Sequence, residues 1–202
     1  MDEVHVERRL AAILVADIAG YSRLMAEDEA ATVATLKGHQ AVVLPLVEAH
    51  GGRIQDTAGD GILAEFRSVQ QAVECAIAMI EETARIRSKW EANGKPALRI
   101  GIGINTGDAV VGNIGAEKVF GYTVIGDAVN LASRLEGKNK DYGTEIIVSE
   151  FTKSRIDDGF EMVYLDEVKV KGKERAVRIY EVKGPAVYPG RSEGSPAALP
   201  ES

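Results

Sequence analysis

A single cysteine, Cys75, stands in 202 residues, so no internal disulfide staples this chain, and the composition suits a reducing compartment, here read as the cytoplasm. No histidine lies close to Cys75 in sequence, which favours a packed thiol over a nucleophile. Histidine is nearly as scarce. His5, His39 and His50 show no metal-ligand spacing and are left with surface or capping roles. Positive charge is in deficit: 24 Lys and Arg face 31 Asp and Glu, a formal net charge of −7. That balance argues against a nucleic-acid groove or an anionic membrane as the main partner, so a phosphate ligand would need a local cluster of cations or a metal. Long apolar runs are also missing. Arg8-Arg9 followed by Leu10 to Ala16 imitates a short secretory signal, but Asp17 interrupts it and no small-residue cleavage site follows. No segment has the length needed to span a bilayer. There is no internal repeat.

What is present is an ordinary core-forming composition, 45% apolar with a mean hydropathy of −0.08. The expectation is one domain over residues 1–183 and, over 184–202, a Pro-, Gly- and Ser-rich tail or a linker to a regulatory domain. Residues 10–17 read as a central strand, apolar on both faces. A helix opens at Asp28-Glu29 and runs to about His50, bent or split by Pro45 and ended by Gly51-Gly52. A hairpin follows, Arg53 to Thr57 and Ile62 to Phe66 around Ala58-Gly59-Asp60-Gly61. Val69, Ala72, Val73, Ala76, Ile77 and Ile80 mark an amphipathic helix to about Trp90. Leu98 to Asn105 reads as a strand, with Ala109 to Ile114 returning beside it. A Gly-containing excursion from Gly115 to Thr123 leads to a helix from Asp127 to Glu136, stopped by Gly137. A short strand at Glu145 to Ser149 and a hairpin of Met162 to Val170 with Val177 to Val182 complete an α+β sheet with helices on one face.

Two aspartates sit at the tips of apolar runs, Asp17 in Leu14-Val15-Ala16-Asp17-Ile18 and Asp60 in Thr57-Ala58-Gly59-Asp60-Gly61. Either alone reads as a cap or a turn residue. A central strand and a neighbouring hairpin would bring both to one sheet edge, a seat for hard divalent cations. The loop Ile18 to Ser22 offers backbone amides before a helix, an anion site. Asn130 and Arg134 are four residues apart on a helix whose other faces are apolar, where an arginine is costly without a counter-charge. Lys169, Lys171 and Lys173 project from one face of a strand, which suits either a guarded sheet edge or a triphosphate. Gly101 to Gly107 has the wrong spacing for a dinucleotide fingerprint.

Together, Asp17-Ile18-Ala19-Gly20-Tyr21-Ser22, Thr57-Ala58-Gly59-Asp60, Gly126 to Arg134 and Val170-Lys171-Gly172-Lys173 resemble the catalytic core of class III nucleotidyl cyclases, in order, over about Arg9 to Val182. The resemblance implies a ferredoxin-like βαββαβ core with extra hairpins and a head-to-tail homodimer with active sites between subunits. It implies an adenylate cyclase that converts ATP to 3′,5′-cyclic AMP and pyrophosphate. Asp17 and Asp60, with the Ile18 carbonyl, would hold two Mg²⁺ or Mn²⁺ ions. Asn130 would orient the ribose, Arg134 would neutralise charge on the α-phosphate, and Lys171 and the loop Ala19, Gly20, Tyr21, Ser22 would meet the phosphates. The two aspartates of a site and its Asn/Arg pair would come from different chains, so a monomer is expected to be inactive.

One position departs from the pattern. Adenylyl members usually carry Lys where this chain has Asp56, paired with an Asp or Thr at the place of Thr123. Ionised Asp56 only accepts hydrogen bonds, from adenine N6 or from guanine N1–H and its 2-amino group. Three readings follow: ATP as substrate, GTP as substrate, or a non-catalytic nucleotide-binding regulatory module. A diguanylate cyclase is disfavoured, because the turn lacks the Gly-Gly-acidic-acidic-Phe signature.

Overall fold

Alternate residues of the first strand, β1 (Val6–Ile18), face two different cores. Ala12, Leu14, Ala16 and Ile18 enter one, Ala11 and Ile13 the other, which is why residues 10–17 carry so few polar side chains. The computed structural model describes residues 6–57, 59–114, 121–169 and 176–186. After β1 come α1 (Tyr21–Glu27), α2 (Glu29–Ala49), β2 (Gly52–Asp56), β3 (Ile62–Phe66), α3 (Val69–Glu91), β4 (Ile100–Ile114) and β5 (Gly121–Ile125). Then follow α4 (Asp127–Tyr142), β6 (Ile146–Ser149), α5 (Glu150–Lys153), β7 (Phe160–Val168) and β8 (Val177–Pro185), the last crossing the boundary expected at Gly184. The eight strands form one sheet in the order β2-β3-β1-β4-β6-β8-β7, with β5 paired to β4.

The stretch β1-α2-β2-β3-α3-β4 is the expected ferredoxin-like unit. Its strands lie in the order β2-β3-β1-β4 and every neighbouring pair is antiparallel. Asp28 caps α2 by accepting from Ala31 N at 2.9 Å, and Ser68 caps α3 by accepting from Gln71 N at 3.3 Å. Val43, Val47, Val73, Ala76 and Met79 press α2 and α3 onto Leu14, Phe66, Ile102 and Ile104. β6 then adds to β4 in parallel, and β8 and β7 extend the sheet antiparallel.

Four expectations are corrected. Helices cover both faces of the sheet: α2 and α3 lie on one, while α4 closes the other with Ala128 and Ala132 against Ala11, Ile13 and Val111. The segment from Leu98 to Ile114 does not fold back at Asn105-Thr106-Gly107; from Ile100 it is one strand, paired with β1 from Ile18↔Ile100 to Val6↔Gly112. Its polar middle is buried and bonded, Asn105 to Ala128 O at 3.0 Å and Thr106 Oγ1 to Thr152 Oγ1 at 3.0 Å, so residues that suggest a turn sit inside a strand. α4 continues through Gly137 to Tyr142 and ends at Gly143, whose φ is 67°. Finally, α2 is not split at Pro45 but continues as one helix to Ala49, because fully buried Val43 and Val47 on either side offset a local penalty of about 3 kcal/mol. The short helices α1 and α5 and the strand β5 carry no plain signal in the sequence. Among the described residues, no helix is long and apolar enough to cross a membrane.

Candidate active site

β1 ends at one rim of the sheet, and the β2–β3 turn lies beside it through the β1·β3 pairing Ala16↔Ile62. Asp17 and Asp60 are thereby brought together. The two carboxyls are close enough for Asp60 to perturb Asp17, and Asp17 Oδ1 accepts from its neighbour's amide, Ile18 N, at 3.0 Å. Burial, then the neighbouring Asp60 carboxyl and its charge, push Asp17 up to about 6, while the Ile18 amide pulls it down. An acidic pair whose charges crowd one another fits a divalent cation.

A third carboxylate joins them. Glu136, on α4, lies over Gly101, where an added Cβ would stand 3.1 Å from Glu136 Oε1, and Gly101 is the β4 partner of Asp17. Burial, then the charges of Asp17 and Asp60, push Glu136 up to about 7. Asp17 and Glu136 line one cavity of about 770 Å³, at whose edge stand Arg23, Arg99 and Lys140. Among the described residues, no three His, Cys, Asp or Glu converge closely enough to hold an ion by themselves.

The other predicted residues lie elsewhere. Asn130 and Arg134 are exposed on the side of α4 away from Leu131, Ala132 and Leu135, and neither lines the aspartate cavity. The expected buried arginine is therefore corrected: Arg134 is at the surface, where Nη1 donates to Lys169 O at 3.1 Å. Asp56 ends β2, just past a bulge at Gln55, and is exposed. Thr123 lies on β5 opposite Gly112, on a strand that approaches β2; its side chain lies outside the described residues. Lys171 and Lys173 also lie outside them. In the loop after β1, the Ile18 amide is taken by Asp17 and the Ala19 amide by Arg99 O at 2.9 Å, while Gly20, with φ 74°, turns the chain into Tyr21 and Ser22 of α1.

The adenylate and guanylate cyclase catalytic domain family matches residues 5–184. This chain belongs to that family. Its cyclase domain is 38% identical over 173 residues to Adenylate cyclase 1 of Rhizobium meliloti (strain 1021), covering 82% of this chain and 26% of that protein. It is 35% identical over 181 residues to an adenylate cyclase of Anabaena cylindrica, covering 85% of this chain and 36% of that one. The chain thus spans about a third or less of these curated relatives. Among solved structures it superposes on the adenylyl cyclase CyaB from P. aeruginosa with a TM-score of 0.79 at 33% identity, covering 89% of this chain and 96% of that one. It superposes on the guanylyl cyclase Cya2 with a TM-score of 0.81 at 32% identity, covering 89% and 94%. Catalytic domains of this class are in general metal-dependent, in keeping with the acidic pair.

The sequence motifs do not single out Glu136 of the cyclase domain, because its place is decided by α4 lying across Gly101. A second surprise is His39, expected at the surface or as a cap. It is 2% exposed, its Nε2 lies 2.9 Å from Thr83 Oγ1, and burial pushes it down to about 4. His50 does sit at a helix end, at the C-cap of α2, with Nδ1 2.7 Å from Leu46 O. Cys75 is fully buried and its thiol is pushed up to about 12.

Proposed function

We propose that this domain is an adenylate cyclase that converts ATP to 3′,5′-cyclic AMP and pyrophosphate at sites shared between two copies of the chain. The observation that carries this reading is the division of the machinery. Asp17 and Asp60 meet in one place, while Asn130 and Arg134 stand exposed on α4 and line no part of that cavity. A second copy placed head to tail would supply to each acidic pair the amide and guanidinium it lacks.

The chemistry is an in-line displacement. The ribose 3′ oxygen bonds to the α-phosphorus, the bond from that phosphorus to the pyrophosphate oxygen breaks, and the 3′-hydroxyl proton is released. Asp17 and Asp60, with the Ile18 carbonyl, would hold two Mg²⁺ or Mn²⁺ ions, which when bound would supply Lewis acidity. Asn130 holds the ribose in the attacking pose. Arg134, always charged, donates to the α-phosphate oxygens as negative charge grows there. Lys171 meets the terminal phosphates. Asp56 of β2 and Thr123 of β5 meet the base edge. With Asp56 as an acceptor, the adenine N6 amino group is its partner. The same acceptor favours a second reading, GTP, through guanine N1–H and the 2-amino group.

Product analysis after incubation with ATP or GTP and Mn²⁺ tests both readings, and absence of either cyclic product at high protein concentration overturns them. Asp17→Ala and Arg134→Ala are each expected to lose at least about 100-fold in turnover. Mixed in equal amounts they are expected to recover about a quarter of wild-type activity, because half the dimers keep one of two sites.

A further inference from the structure

The helix that carries Asn130 and Arg134 is held to the sheet in an unusual way. At its N-terminus Gly126 provides no side-chain cap. In its middle it touches strand backbone: an added Cβ on Gly103 would lie 2.2 Å from Ala132 O and 2.2 Å from Glu136 N. A glycine contact of this kind sets how close helix and strand lie, but it offers little resistance to sliding along the strand. Two buried asparagines supply that resistance, and they point in opposite directions. From β4, Asn105 Nδ2 donates to Ala128 O at 3.0 Å, and its Oδ1 accepts from Ser149 Oγ at 2.7 Å. From α4, Asn139 Nδ2 donates to Ile102 O at 3.0 Å, and its Oδ1 accepts from Thr144 Oγ1 at 2.9 Å. Asn105 is 2% and Asn139 4% exposed, so neither bond is open to exchange with water. Asn130 and Arg134 lie on the helix between the two fastenings, and Arg134 makes one described bond, to Lys169 O.

We propose that Asn105 and Asn139 are positioning residues for cyclisation: by locking the register of α4 on β4, they set where Asn130 and Arg134 meet the nucleotide. The inference rests on the shared-site reading above. A shift of α4 by a fraction of an ångström misdirects both side chains at once, and errors of this size are costly in a near-attack geometry.

The test separates positioning from general destabilisation by placing one substitution in either of two chains. Mixing Asp17→Ala with Arg134→Ala leaves one competent site per heterodimer, built from the aspartates of the second chain and α4 of the first; both homodimers are inactive. Asn139→Ala is then added to one chain or the other. In the Asp17→Ala chain it disturbs the helix that serves the surviving site, and turnover is expected to fall about tenfold or more with KM changed less than about threefold. In the Arg134→Ala chain the helix brings no Asn130 or Arg134 to a competent site, although its Glu136 and Asn139 still line the cavity of that chain's Asp17, so the loss in turnover is expected to be at least about threefold smaller than in the other placement. Both mixtures carry the same substitutions, so their thermal midpoints should match. Asn105→Ala is the second variant, read in the same way. Equal loss in the two placements, or no loss in either, overturns the proposal. If the starting mixture itself shows no rescue, the shared sites are wrong and this inference falls with them.

Discussion

On the face of the sheet that carries α2 and α3, β4 presents Ile100, Ile102 and Ile104, and β1 presents Leu14 and Ile18. On the face beneath α4, β4 presents Gly101, Gly103, Asn105 and Gly107 instead. One face closes by interlocking aliphatic side chains; the other adds to a smaller cluster of Ala11, Ile13, Val111, Ala128 and Ala132 the pressing of helix backbone onto strand backbone and amide hydrogen bonds. The first arrangement tolerates small losses of volume, because neighbours relax into the gap. The second has almost no slack, and it leaves the space over Gly101 in which Glu136 can stand near Asp17. Packing that supplies stability and packing that supplies geometry are thus assigned to opposite sides of one sheet.

The comparison breaks most easily at neighbouring residues. Gly103→Ala forces a Cβ against helix backbone and is expected to cost about 3 kcal/mol or more in urea unfolding. Ile102→Val, one residue away on the aliphatic face, is expected to cost about 1 kcal/mol. Similar costs for the two would erase the distinction.

The two faces should also respond oppositely to pH. His39, packed between α2 and α3, titrates near 4 when folded against an ordinary 6.5. The unfolded chain therefore takes up its proton first. The stabilisation is complete above pH 6.5 and is lost as the pH falls toward 4, by up to about 3 kcal/mol. His39→Gln, which cannot titrate, is expected to flatten that limb in urea titrations run across the range. On the other face Glu136 titrates near 7 against an ordinary 4.5. Its contribution is full below pH 4.5 and is lost as the pH rises through 7. In EDTA at pH 8, Glu136→Gln is expected to be more stable than wild type by less than about 1 kcal/mol, because the group is partly open to solvent. The smallest effect concerns Cys75: a thiol reagent should modify it at the rate of unfolding, and fast modification of the native protein would show that the aliphatic face is loose.

Much of this architecture is legible along the chain. Apolar runs that end in acid, Asp17 at the end of β1 and Asp60 between β2 and β3, announce buried strands meeting at a rim. The turn Ala58 to Gly61 and the 3.6-residue spacing from Val69 mark the hairpin and α3 because each is a local property. What misleads is chemistry with two uses. Asn105-Thr106-Gly107 reads as a turn because those residues usually satisfy their own backbone; here partners from α4 and α5 do so. Gly137 reads as a stop because it ends helices elsewhere, yet packing carries α4 past it to Gly143. Arg134 reads as buried because its helical neighbours are apolar, but they belong to the opposite side of the helix.

The order of residues by itself determined the strands and helices of the ferredoxin-like unit as far as α3, the choice of two aspartates, and the pairing of Asn130 with Arg134. These rest on periodicity and on spacing within a few residues, where neighbours in sequence are neighbours in space. Only the tertiary structure decided that α4 lies across the glycines of β4, that Glu136 joins Asp17 and Asp60, and that Asn130 and Arg134 stand away from them. Those facts depend on contacts between segments far apart in the chain, where the absence of a Cβ at one residue is felt only once a helix is laid upon it.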